Sequence, residues 1–329
     1  MPVSFFRNED GKKFIPVSDA GLSDTGGWWK SITSGDFDND GDVDYIAGNF
    51  GLNSHYRASA SEPINVHFKD FDNNGAIEAI TSYYEDGVNY PTASLDVVTA
   101  QLPLLKRRIL YHRTYAGSST NRLLEIAGDK DADVLYCKTL QSTYIDNSGG
   151  GKFSLKPLPL MMQTAPVYGI VTEDINADGN LDFIAVGNSY APDVVSGRCD
   201  AFIGQVMLGD GEGNFTAMPV NESGFFVNGD AKGIVQLTAG GKLLTIVTQN
   251  NDSLKVFETK RTRPVKVLRL NRTEVAAVVV LKNGQSRRME IGYGNSYLSQ
   301  TSRSIPLNPS IKSIIVFDGR GVQTRKLDY

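Results

Sequence analysis

Residues 34–49 read SGDFDNDGDVDYIAGN. Five aspartates, Asp36, Asp38, Asp40, Asp42 and Asp44, occupy every second position of a nine-residue window, with Gly41 among them. Carboxylates packed this closely repel one another, so the pattern calls for a counter-charge. It also recurs, as DFDNNGAIE at 70–78 and DINADGNLD at 174–182. All three copies fit D-x-[DN]-x-[DN]-G-x-h-[DE], where h is apolar. Two of them run on into apolar segments with the same ending, YIAGN at 45–49 and FIAVGN at 183–188.

The spacing suits a hard divalent cation. Calcium takes six to eight oxygen ligands in a flexible geometry, whereas magnesium resists losing its waters and takes fewer protein ligands. In the first loop Asp36, Asp38, Asp40 and Asp44 would offer side-chain oxygens and Asp42 its backbone carbonyl. Gly41 lets the chain turn sharply around the ion. The second set is Asp70, Asp72, Asn74 and Glu78 with the Ala76 carbonyl. The third is Asp174, Asn176, Asp178 and Asp182 with the Asn180 carbonyl. The second and third sets carry three carboxylates each against four in the first, so the first is expected to bind calcium most tightly. An EF-hand needs a bidentate Glu at position 12; Ala47, Thr81 and Ala185 stand there.

A second repeat interleaves with the first. FFRNEDGKKFIPV at 5–17, YIDNSGGGKFSLKPL at 144–158 and VMLGDGEGNFTAMPV at 206–220 each read as strand, polar turn and strand, a hairpin signal. Their Phe14, Phe153 and Phe215 are expected to anchor a core. Strand, acidic loop, strand and hairpin make a unit of roughly 50–60 residues, the period and content of a propeller blade. A fourth, decayed copy spans 224–257 and lacks the acidic loop. Leu95, Val98, Leu102, Leu105 and Ile109 fall at helical spacing, with Pro103 dividing two helices, and 122–127 is a third short helix closed by Gly128. Residues 92–133 are therefore expected to be a helical insertion between strands of one blade. Beyond 262 the texture changes to alternating strands with glycine turns and no acidic loop. The expected fold is all-β: about four β-propeller blades over 1–262, an incomplete propeller, and a small β domain over 263–329.

These motifs resemble the FG-GAP/VCBS repeat of integrin-α-like propellers. Residues 27–54 and 223–235 are similar to bacterial exported VCBS-repeat proteins, and 283–302 with 317–323 resemble the ASPIC/UnbV domain that follows such repeats. IPLNPS at 305–310 departs from the glycine-rich stretch expected there and puts the last strands of the tail in question. The resemblance implies calcium in the loops, about seven blades, and export to the periplasm, outer-membrane surface or medium. Fewer blades than seven, and no signal peptide at Met1, imply the C-terminal part of a longer exported protein.

Composition narrows the function. A net charge of −4 leaves no basic surplus for nucleic acid, and no apolar run reaches the length of a membrane span. Cys137 and Cys199 form no CxxC and read as two small buried hydrophobes. No GxSxG, HExxH or phosphate-cradling motif occurs, which points away from an enzyme. The enzymatic alternative is a polysaccharide lyase using His55, Tyr56 and Arg57. The leading expectation is a non-catalytic adhesion or binding module for a glycan or protein, with Trp28 and Trp29 as candidate sugar platforms and at least one of them in the core. A third reading is a scaffold that docks a surface-complex partner through the helical insertion.

Overall fold

The computed structural model describes residues 1–18, 20–128, 131–192, 196–261, 263–294 and 297–329. The expected boundary at 262 and residues 129–130 of the insertion lie outside the described residues. Twenty-three strands stand against four short α-helices and two 3-10 turns among the described residues, and every strand pairing is antiparallel. The chain is all-β. None of its described helices is long and apolar enough to cross a membrane. Contacts divide it into two compact units: Met1–Pro16 with Leu22–Trp28 and Ser54–Leu140, and Val17–Gly21 with Trp29–Asn53 and Gln141–Tyr329.

The first unit carries the second acidic loop. Its sheet runs in the order Val88–Pro91, Glu78–Glu85, Ile64–Lys69, Asp133–Cys137. The edge strands Val88–Pro91 and Asp133–Cys137 are consecutive in the chain, and the expected helical segment carries it from one edge to the other. All five residues read at helical spacing are buried, and with Leu123, Leu124 and Tyr115 they cover Phe71 and Ile80. Ser94 caps Leu95–Gln101 and Ser119 caps Thr120–Ala127, which Gly128 closes at φ +86°. The segment after Pro103 is a 3-10 turn, Pro103–Arg107, where a second α-helix was expected. The residue before a proline is steered out of the α region, and Leu102 sits at φ −119°, ψ +80°. A further short helix, His112–Ala116, carried no periodic signal.

The hairpin Phe6–Glu9/Lys13–Pro16 is a two-stranded ribbon. Phe14 is 71% exposed on it, so it is not the core anchor expected, because a ribbon of two strands has no second layer of its own to bury a ring. Trp28 and Trp29 are both half-buried and outside the named strands, so strand alternation sends neither into the core; Trp28 instead meets the Tyr56 ring edge-on at 5.1 Å.

In the second unit three sheets pack in series. The first runs Phe153–Pro157, Thr143–Asn147, Asp44–Gly48, Ser31–Gly35; the second runs Val167–Glu173, Asp182–Gly187, Gln205–Gly209, Phe215–Met218; the third runs Ala231–Ala239, Lys242–Gln249, Lys255–Thr259. Phe37, Ile46 and Tyr144 of the first meet Ile170, Phe183 and Met207 of the second in one core. Val171, Ile184 and Val206 of the second meet Ile234 and Val247 of the third in another. Burying each of these side chains contributes roughly 1.5–3 kcal/mol. Phe215 is half-buried with its ring 5.1 Å from Phe183, so it leans on the core without entering it, whereas Phe153 is half-buried against the Tyr45 ring, outside the core it was expected to anchor.

The first sheet is discontinuous in sequence. Its strand–loop–strand half ends at Gly48 and its hairpin half begins at Thr143, with residues 54–140 of the other unit between them. The 144–158 hairpin therefore completes the first acidic loop's sheet, and the second loop's sheet is itself the inserted body. Glycine ends the strand after the acidic loop in both loop-bearing sheets of this second unit, Asp44–Gly48 and Asp182–Gly187, for a steric reason. A Cβ on Gly48 would lie 2.4 Å from the Val167 carbonyl oxygen, and one on Gly187 would lie 2.0 Å from that of Pro166. Asn188 follows at φ +82° and bonds Phe202 in both directions.

Residues 266–328 form sheets of their own: Lys266–Arg269 with Ser304–Leu307, and Ser286–Glu290, Glu274–Leu281, Ile311–Asp318, Gln323–Asp328 in that order. Val279, Ile305, Ile314 and Val316 are buried between them. The IPLNPS segment does not abolish the last strands: its first residues pair with Lys266–Arg269.

Candidate metal loops

Each acidic loop is built by the same internal hydrogen bonds. The position-3 side chain accepts from the position-5 N–H: Asp38 from Asp40, Asp72 from Asn74, Asn176 from Asp178. Position 5 accepts from position 7: Asp40 from Asp42, Asn74 from Ala76, Asp178 from Asn180. Position 9 reaches back to position 2, as Asp44 to Phe37 (3.0 Å), Glu78 to Phe71 (2.9 Å) and Asp182 to Ile175 (2.7 Å). The backbone turns left-handed twice, at Asn39, Asn73 and Ala177 and then at Gly41, Gly75 and Gly179. These bonds and the two left-handed residues curl each loop tightly upon itself.

The loops differ in depth. Asp36, Asp44 and Asp182 have no exposed surface and Asp174 is 4% exposed, whereas Asp70 is half-buried and Asp72 exposed. Burial pushes Asp36, Asp44 and Asp182 up to about 6 each, against backbone N–H donors that favour the charged form. A divalent cation reverses that balance, because it supplies the opposite charge that burial removes. The residues fit one. Asp36 Oδ1 and Asp174 Oδ1 are buried with no hydrogen-bond partner among the described residues, and an orphaned carboxylate oxygen in the interior is costly unless something coordinates it.

Carboxylate oxygens converge in three clusters that could hold a metal ion: Asp36, Asp38 and Asp40; Asp38, Asp44 and Asp146; Asp70, Asp72 and Glu78. Asp146 was missed in the sequence, because it lies a hundred residues beyond the loop on the hairpin half of the same sheet. Assigning that hairpin to the first loop would have found it. Asp42 and Asn180 are placed with exposed or half-exposed side chains, compatible with roles through the carbonyl alone. The third loop's acidic groups, Asp174, Asp178 and Asp182, form no such cluster among the described residues. Its surroundings also differ: Arg287, 5% exposed, donates to the Gly179 carbonyl (2.8 Å) and lies 3.8 Å from Asp174 Oδ2, to which Asn308 Nδ2 donates (2.9 Å).

Elsewhere, His55 is exposed against the Tyr56 ring, and Arg57 folds onto the carbonyls of Ser54 and Tyr56. Cys137 is buried and its thiol is pushed up to about 11 by that burial; Cys199 is only half-buried, so it is not the core residue expected. In the first unit a cleft of about 370 Å³ is lined by Tyr83, Tyr90 and Tyr115 together with Glu85 and Asp86. No family model matches this chain, and no curated protein matches it.

Proposed function

We propose that the chain is a calcium-stabilised adhesion or binding module of the FG-GAP/VCBS propeller type with an ASPIC/UnbV-like tail, acting outside the cytoplasm on a glycan or protein. The observation that carries calcium is the orphaned Oδ1 of Asp36 in a loop where Asp38 and Asp40 converge on it. Oxygen-only donors favour a hard cation, and the number of carboxylates in the first loop favours calcium over magnesium. The ion's role is architectural, since it neutralises carboxylates beside the sheet core and ties the loop shut. The serial packing of two four-stranded antiparallel sheets and a three-stranded one supports the blade reading.

Recognition is then left to a surface away from the loops. The tyrosine cleft suits a sugar, whose faces stack on aromatic rings while its hydroxyls donate to carboxylates. Calorimetric titration of chelator-treated protein with calcium chloride tests the first part. Binding is expected, and Asp38→Ala is expected to remove the tightest class; absence of heat in the unmodified protein sinks the reading. Glycan-array binding that disappears in Tyr90→Ala tests the second. Binding to no glycan moves the partner to protein.

A further inference from the structure

The tail does not merely follow the sheets; it places a buried cation against the third acidic loop and the neighbouring backbone N–H against the first. Arg287, on the Ser286–Glu290 strand, is 5% exposed, donates to the Gly179 carbonyl at 2.8 Å and stands 3.8 Å from Asp174 Oδ2. Its Nε has no acceptor among the described residues. Besides Asp174, the carboxylates that act on it are Glu173, Asp182 and Asp36, from both the first and third loops. Of these, Glu173 has its own partner in Arg261 at 3.0 Å. The next residue's N–H, that of Arg288, donates to Asp36 Oδ2 at 2.9 Å, and Asn308 donates to Asp174 Oδ2. So one strand and one turn of the tail supply donors to the position-1 carboxylate of both loops. Asn308 belongs to IPLNPS, the stretch that departs from the family pattern.

We infer that Arg287 is a tethered counter-ion for the first and third loops, holding their buried carboxylates when calcium is absent and opposing calcium electrostatically when it binds. The inference rests on the calcium reading above. Its sign follows from Coulomb's law: guanidinium and metal ion are like charges drawn to the same carboxylates, so each weakens the other's hold. The coupling must be reciprocal. Removing the guanidinium leaves Asp174 buried without the cation at 3.8 Å and takes a more distant attraction away from Asp36, which damages the metal-free protein most and the calcium-loaded protein least. An ordinary packing role would cost the same in both states. The second loop, in the other unit, serves as an internal control.

The test is thermal unfolding of the full chain in chelator and in saturating calcium, with calcium titrations, for the unmodified protein, Arg287→Met, Arg287→Gln and Arg287→Lys. The calcium-induced rise in Tm is expected to be larger in Arg287→Met and Arg287→Gln than in the unmodified protein, by about 4 °C. Calcium affinity of one class of site is expected to tighten about tenfold, while the class lost in a parallel Asp70→Ala variant stays unchanged. Arg287→Lys, which keeps the charge, is expected to behave as the unmodified protein. Should Arg287→Met fold only with calcium, that is the same result in its extreme form; should it fold in neither, Arg287→Gln decides. Equal or smaller calcium increments in the neutral variants overturn the inference while leaving the calcium reading intact. An unmodified protein that binds no calcium ends both.

Discussion

The Phe37 N–H donates to Asp44 Oδ2 at 3.0 Å across seven residues, and this bond is repeated by Phe71 with Glu78 and by Ile175 with Asp182. The last residue of the motif is therefore a backbone brace as well as a ligand candidate. In two loops its other oxygen reaches the third strand of the same sheet, from Asn147 N–H to Asp44 and from Gly209 N–H to Asp182. The loop and the hairpin half of the sheet are joined through one carboxylate.

That double acceptance makes Asp182 a test of architecture apart from metal. Asparagine keeps one acceptor oxygen and turns an NH2 toward the other N–H. With Asp182 wholly buried, the unsatisfied donor is expected to cost about 2 kcal/mol. Urea denaturation in chelator should show this loss in Asp182→Asn without any ion. A variant as stable as the parent in chelator would reduce the residue to a ligand only.

Ala177 holds φ +63° at the position where the other two loops place Asn39 and Asn73. A left-handed alanine costs roughly 1 kcal/mol, and asparagine tolerates the region better. Ala177→Asn is expected to raise stability by about 0.5–1 kcal/mol. Its side chain is exposed, so packing does not confuse the result. A neutral or negative change in denaturation midpoint would mean the turn relaxes around Ala177.

These two residues also mark what was legible. The nine-residue pattern specifies its own turn through short-range bonds, so three loops were readable with their internal geometry. Helical spacing identified the five buried residues of the insertion, because burial on one face leaves a period in the sequence. Phe14 misled because a hairpin signal does not say whether a second layer covers it. Asp146 and Arg287 were out of reach for another reason: each meets its loop through the order of strands in space, which residues 54–140 and the tail rearrange without a local mark. Whether a position-1 aspartate faces water or a buried guanidinium is decided by those long-range pairings.

The insertion's core makes the next expectation. Leu123 is fully buried among Leu102, Leu105, Phe71 and Ile80. Leu123→Ala removes three heavy atoms from a site closed by several elements, at an expected cost of about 3 kcal/mol. Because the two units have separate cores, hydrogen exchange should rise in the Leu95–Gln101 and Thr120–Ala127 helices while the strands Val167–Glu173 and Asp182–Gly187 keep their protection. Equal loss of protection in both would mean that the units unfold as one.

Glu274 gives the tail a pH dependence of defined sign. Its side chain is 1% exposed, and burial by itself would raise its pKa; the Arg325 guanidinium at 2.6 Å, the Asn271 N–H and the Thr324 hydroxyl outweigh that and hold it below its ordinary 4.5. A carboxylate whose folded pKa is depressed contributes stability that is fully present above the unfolded value and disappears as pH falls through the folded one. The tail is therefore expected to hold its stability from neutrality down to about pH 5 and to lose it progressively below 4.5. Glu274→Gln is expected to cost about 2 kcal/mol at pH 7, since Arg325 is a third exposed and partly rehydrates, and to flatten the acid limb of the curve. Near-ultraviolet circular dichroism and urea midpoints between pH 3 and 7 measure both. If the parent and Glu274→Gln lose stability in parallel below pH 4.5, the acid sensitivity resides in other carboxylates and the Glu274–Arg325 pair is not its source.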